Sequence, residues 1–164
     1  METKDLKFIL EELQFSALLP AEMLEPLAAV SSLLTVSSGE WVFREGATSD
    51  KLYMVHQGRL ALDINVPQRG GVRILTIGPG EMAGWSALLG DRKMTTSAIA
   101  VTDTQLVLAS ATELQGLCES NPEFGYRLMQ RMAEELSKRL VATRLQLLDL
   151  FADTSPAVSP KGDA

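Results

Sequence analysis

The sequence predicts an α+β domain that is mainly β: a barrel or jelly roll of short strands, preceded by helices and closed by a long helix. Three observations carry this. Between about Leu33 and Ser110 apolar residues recur at every second position. Glycines punctuate the same stretch, as closely spaced strands that turn between sheets require. On either side, apolar residues return at helical spacing.

Helices are expected over about residues 3–32. Leu6, Ile9, Leu10 and Leu13 share one helical face. Pro20 suits the first turn of a second helix, and Glu22 sits early, near its positive end. Pro26 makes that helix short or kinked. The β region spans about residues 33–109. In 59-RLALDINV-66, Leu60, Leu62, Ile64 and Val66 face one way, and Arg59, Ala61, Asp63 and Asn65 the other. The turn 67-PQRGG-71 follows, with Gly70 and Gly71 expected to supply positive φ. Val72, Ile74 and Thr76 then alternate with Arg73, Leu75 and Ile77 on the way back. Shorter strands are expected at 40-EWVFRE-45, 51-KLYMVH-56, 97-SAIAV-101 and 104-TQLVLA-109.

Helices resume over about residues 111–151. Ser110 and Glu113 form a capping box, and Asn121 followed by Pro122 is a second helix start. Glu134 with Lys138, and Glu135 with Arg139, are favourably oriented pairs four residues apart. Residues 1–151 are thus one domain. Residues 152–164 are small, polar and proline-bearing, and are expected to form a disordered tail.

Composition excludes several function classes. The chain has 164 residues, 46% hydrophobic and 22% charged, which is enough for one real core. Its net charge of −6 disfavours non-specific nucleic-acid binding. One cysteine (Cys118) and one histidine (His56) cannot build a disulfide, an iron–sulfur cluster or a dedicated zinc site, so neither a metal nor another cofactor is expected. His56 reads as a half-exposed strand residue. The N-terminus is broken by charges and is not a signal peptide, and no apolar run is long enough to span a bilayer. A cytoplasmic protein without membrane contact is expected. No nucleophile–base pair or paired carboxylates suggest an enzyme.

Several features then coincide in order. They are Gly39 and Gly46 in 39-GEWVFREG-46, the tyrosine-bearing strand and Gly58 of 52-LYMVHQGRLAL-62, the segment 80-GEMAGWSALL-89, a small-residue strand, and a long closing helix. Together they resemble the cyclic-nucleotide-binding domain, over roughly residues 10–150. The resemblance implies an eight-stranded jelly-roll β-barrel (a double-stranded β-helix) with helices on both sides. It implies that the last helix covers the ligand and forms a dimer interface. In transcription factors of that family a helix-turn-helix follows; only the short tail follows here, so direct DNA binding is not expected.

The ligand site implied by the resemblance is 84-GWSALLGDRKMTTSAIA-100. Its hypothetical lining is Gly84, Trp85, Ser86, Ala87, Met94, Thr95 and Thr96, with Arg139 and Leu140 as a lid. A phosphate suits the amides of a short helix start, and Gly84, Ser86 and Ala87 leave room for one. The family's glutamate, which accepts from the ribose, is replaced by Trp85, an indole that only donates. The family's arginine, which pairs with the phosphate, is replaced by Met94. Each such bond contributes roughly 1.5–3 kcal/mol, so losing both removes about two to four decades of affinity. Cyclic nucleotide binding is therefore expected to be weak or replaced. Arg92 could restore a cation only if its loop shifted inward. Otherwise Trp85 and Met94 fill the pocket or line it for an apolar or aromatic guest.

On the last helix, Met129, Met132, Leu136, Leu140, Leu147 and Phe151 form a stripe with Thr143 among them. The spacing repeats every eleven residues, which favours nearly straight or slightly right-handed pairing. Leu128, Leu145, Leu148 and Leu150 make a second apolar edge. One helix with two apolar sides is expected to bury one of them in a homodimer. The sequence thus points to a stand-alone sensor or regulatory module, with two alternatives. One is a ligand-free dimerising scaffold for an unidentified protein partner. The other is a true cyclic AMP or cyclic GMP binder using backbone amides and Arg92.

Overall fold

The computed structural model of the chain describes residues 3–13 and 19–154. Its centre is a pair of four-stranded antiparallel sheets facing one another. The strands are β1 (Ser31–Val36), β2 (Trp41–Phe43), β3 (Lys51–Gln57), β4 (Leu60–Val66), β5 (Gly70–Ile77), β6 (Met82–Ala83), β7 (Ser97–Ala100) and β8 (Thr104–Ser110). One sheet runs β1-β8-β3-β6 and the other β2-β7-β4-β5. This is the jelly roll that the strand spacing suggested, with the eight strands that the resemblance implied. The helices are α1 (Thr3–Glu12), α2 (Leu24–Ala29), α3 (Ser86–Leu89), α4 (Ala111–Ser120) and α5 (Pro122–Thr154), with a turn of 3₁₀ helix at Ala21–Met23.

Burial explains the strand patterns. Leu52 to Val55 of β3 are all buried, with the roll on one face and α3 packed against the strand. In β4, Leu60, Ala61 and Leu62 are all buried and Asp63 and Ile64 are both half-buried, so the strict alternation expected for this strand is confined to its end at Asn65 and Val66. That first half is paired on both sides, with β7 and β5. Beyond Asp63 only β5 remains, and between Leu62 and Asp63 the ladder shifts by a bulge at Ile74 of β5. The turn also differs from expectation. Positive φ falls on Gln68 and Gly70, while Gly71 lies in the ladder opposite Asn65. Gly39, Gly46 and Gly58 do take positive φ at the corners of the roll.

The helices dock by the faces the sequence indicated. Leu6, Leu10 and Leu13 of the first segment are buried, with Ile9 packed against the core. Ser110 caps α4 by accepting from the Glu113 amide at 3.4 Å, and Asn121 caps α5 by accepting from the Phe124 amide at 3.1 Å. His56 bridges elements, with Nδ1 2.6 Å from Gln105 Oε1 and Nε2 3.4 Å from Glu12 Oε2. No cluster of metal-capable side chains occurs among the described residues, and no described helix is long and apolar enough to cross a membrane.

The long helix α5 has two unlike halves. In the first, Phe124, Leu128 and Met132 are buried, so Met132 and Leu128 belong to the domain's own core rather than to a free stripe. In the second, Leu140, Leu145, Leu147, Leu148 and Phe151 are all at least half exposed. This half meets the roll through the Gln146 side-chain amide, which donates to the Ile74 carbonyl at the β5 bulge. The helix runs to Thr154, beyond the Phe151 end expected; the remaining tail, 155–164, lies outside the described residues. Truncating Phe124 to alanine removes the largest buried anchor of α5. It is expected to destabilise the fold by about 3–5 kcal/mol, measurable as a lower midpoint in urea unfolding.

Candidate functional site

The segment between β6 and β7 forms a tight loop around α3. Gly84 has φ +79°, and a Cβ there would lie 2.7 Å from the Lys51 carbonyl and 3.0 Å from the Tyr53 ring. The glycine is therefore required by the close approach of β3, independently of any ligand. Trp85 caps α3 without a side-chain hydrogen bond, and Ser86, Ala87 and Leu88 are buried. The Ala87 amide donates to the Gly84 carbonyl at 3.0 Å, so that N–H is turned into the loop itself. An α3 of four residues offers little of the dipole expected to receive a phosphate.

Trp85 and Met94 go to different places. Met94 is buried in the hydrophobic core, its amide and carbonyl tied to Ala47 and Gly46. Trp85 is half-buried at the seam with α5, where Met82, Met132, Glu135, Leu136 and Arg139 share a cavity with it. That cavity measures only about 10 Å³, barely the volume one water needs. Of the expected lid pair, Arg139 lines this space. Leu140 is 60% exposed and is not part of the lining. Thr95 is exposed and Thr96 half-buried on the bend before β7.

Arg92 is engaged elsewhere. It adopts φ +66°, and its guanidinium lies 3.2 Å from Asp50 Oδ1 and donates to Thr112 Oγ1 at 3.1 Å. Ser110 and Thr112 also donate to the two Asp50 oxygens, at 2.9 and 3.2 Å. Burial opposes the Asp50 charge, but these two hydrogen bonds and the Arg92 cation outweigh it and hold the carboxyl below the usual carboxylate range. The cluster pins the loop after α3 to the start of α4. Turning Arg92 inward would break its contacts with Asp50 and Thr112.

Charge beneath α5 escaped the sequence reading. Arg131 and Glu135 are both buried, 3.1 Å apart, and Arg131 also donates to the Gly80 carbonyl at 3.1 Å. Glu134 lies 3.6 Å from Arg131, and Lys138 lies 3.9 Å from Glu135. The pairs expected, Glu134 with Lys138 and Glu135 with Arg139, are thus drawn toward Arg131, whose buried guanidinium has the greater need of a partner. The signal was present: Phe124, Leu128, Arg131 and Glu135 continue one helical stripe, which places two charges where core residues belong. Burial pulls the Arg139 guanidinium below its usual range, while Glu135 and Glu81 oppose this from a distance.

A family model for the cyclic nucleotide-binding domain matches residues 33–121. Over 119 residues the chain is 29% identical to a CRP-like cAMP-activated global transcriptional regulator of Mycobacterium tuberculosis, covering 72% of this chain and 51% of the regulator. Over 131 residues it is 30% identical to glutaminase 2 of Bradyrhizobium diazoefficiens, covering 75% of this chain and 19% of that enzyme. The chain therefore spans about half the length of the first relative and far less of the second. Among solved structures, a cyclic nucleotide-binding domain from Methylobacillus flagellatus superposes with TM-score 0.76 at 18% identity, over 96% of this chain and 86% of that one. The N-terminal domain of a transcriptional regulator from Streptomyces coelicolor superposes with TM-score 0.66 at 28% identity, over 79% and 93%.

The depressed Asp50 value sets a pH dependence. Its contribution to stability is present above the ordinary carboxylate pKa and is lost as pH falls through the lower folded value. Asp50→Asn is expected to lower the melting temperature at neutral pH and to flatten part of its fall on acidification. A parallel acid profile in variant and wild type would show that the cluster adds nothing.

Proposed function

The chain belongs to the cyclic nucleotide-binding domain family, and from that premise we propose that it is a non-enzymatic sensor or regulatory domain whose cassette binds cyclic nucleotides weakly or has exchanged them for another small ligand. One observation carries this reading. Where the family places a carboxylate and a guanidinium, this chain has Trp85 and Met94, and Trp85 with α5 leaves a cavity of about 10 Å³. Arg92 supports it as well, because its guanidinium is already held by Asp50 and Thr112. The cAMP activation named for the mycobacterial relative is thus not carried over to this chain unchanged. A cytoplasmic setting and the absence of direct nucleic-acid contact belong to the same reading, the latter from the net charge of −6.

Calorimetric titration with cyclic AMP and cyclic GMP tests it. No saturation is expected below roughly millimolar ligand. Saturation at micromolar concentration would overturn the reading in favour of a true cyclic nucleotide binder. The near-closed cavity also favours a second reading, a ligand-free scaffold that works by pairing copies or holding a protein partner.

The distal half of α5 supports a homodimer under either reading. Met129, Leu136, Leu140 and Leu147 share one side of the helix, and Leu140 and Leu147 are 60% and 50% exposed. An apolar strip of this length on one helix is unfavourable in water unless covered. The wild type is expected to sediment as a dimer, and a Leu140→Glu, Leu147→Glu double variant as a folded monomer. A monomeric wild type would remove this part of the proposal.

A further inference from the structure

His56 is the single histidine of the chain, and histidine is the side chain whose ordinary charge change falls between pH 5 and 8. Its ring stands on β3 with 11% of the side chain exposed, held between two other elements. Nδ1 lies 2.6 Å from Oε1 of Gln105 on β8. Nε2 lies 3.4 Å from Oε2 of Glu12, the last residue of α1. An amide oxygen only accepts, so the neutral ring carries its one proton on Nδ1 and donates it to Gln105. Nε2 then turns a lone pair toward a carboxylate, acceptor against acceptor. A second proton, on Nε2, converts that contact into a charge-assisted hydrogen bond.

The neighbouring charges leave this contact to Glu12. Among the described residues that share a cavity with His56, Leu13, Gln57, Pro79 and Gly80 carry no charge, and Glu12 alone is titratable. Gln105 on β8 is neutral. Beyond the cavity wall, Arg131 reaches the Gly80 carbonyl and is matched by Glu134 and Glu135, and Glu81 accepts from the Gly78 amide at 2.7 Å.

We propose that His56 and Glu12 form a pH-responsive latch, in which proton uptake by His56 fastens the end of α1 to the ladder of β3 and β8. The latch needs both groups charged. Its stabilisation is present below the ordinary histidine range and above the ordinary carboxylate range. It fades as pH rises through the first and again as pH falls through the second. Leu6 and Leu10 of α1 and the adjoining Leu13 stay buried in either state, so the latch tunes how firmly the helix is seated. α1 packs on α2 and β1, and α2 packs on α4, so the effect falls on the helices outside the roll and requires no ligand in the cassette.

Melting temperatures of the wild type, Glu12→Gln, His56→Gln and the double variant, each at about pH 5.5 and about pH 8, isolate the pair. A coupling of about 1–3 °C is expected at the lower pH and none at the higher. The acid response of the Asp50 cluster is common to all four proteins and cancels in the cycle. Hydrogen exchange locates the effect: Glu12→Gln is expected to speed exchange of the α1 amides about two- to fivefold over wild type at the lower pH, and to leave it unchanged at the higher. Should His56→Gln not fold, wild type against Glu12→Gln at the two pH values still decides, because the Glu12 side chain is half exposed and its replacement leaves the core intact. Equal coupling at both pH values, no coupling at the lower one, or α1 exchange indifferent to Glu12→Gln would each overturn the latch.

Discussion

Everything near the cassette depends on how the first half of α5 is seated on the roll. Phe124, Leu128 and Met132 supply the apolar part of that seat. Arg131 supplies the polar part, since its guanidinium reaches the Gly80 carbonyl while holding Glu135. A buried guanidinium is tolerated only when its partners are close and well placed. The glutamates compensate the buried charge from within the helix, and the Gly80 contact ties that charge, and α5 with it, to the roll. That position brings Met132, Leu136 and Arg139 against Trp85 and closes the cavity.

The cassette loop is held by the protein's own contacts. Gly84 gives up its side-chain space to β3, and the Ala87 amide is spent inside the loop. Arg92, Asp50, Ser110 and Thr112 fasten the far side of the loop to the start of α4. A loop that depends on a ligand's phosphate for its shape would leave such groups unpaired. Here each of them has its partner within the chain.

The β architecture was legible because each strand's burial is written in a short pattern. The apolar run of β3 and the glycines at the roll's corners needed only local reasoning. Less was legible in the β4–β5 hairpin. Positive φ moved to Gln68, and a bulge arose at Ile74, because the ladder's register depends on the neighbouring strands as well as on the turn. Trp85 and Met94 stood out at once by their side-chain chemistry. Their different fates did not: Met94 enters the core and Trp85 meets α5, and nothing in the loop's own residues distinguishes those two outcomes.

The sequence by itself determined the fold class, the helix caps at Ser110 and Asn121, the presence of Trp85 and Met94 in the loop between β6 and β7, and an apolar stripe along α5. These follow from periodicity and side-chain chemistry, which act over a few residues. Tertiary structure alone decided that Arg92 faces Asp50, that Arg131 takes both Glu134 and Glu135, and that Arg139 lies half-buried beside Trp85. The reason is electrostatic. A charge finds its partner through space, at distances and burials that only the packed chain defines, and residues far apart in sequence compete for the same carboxylate.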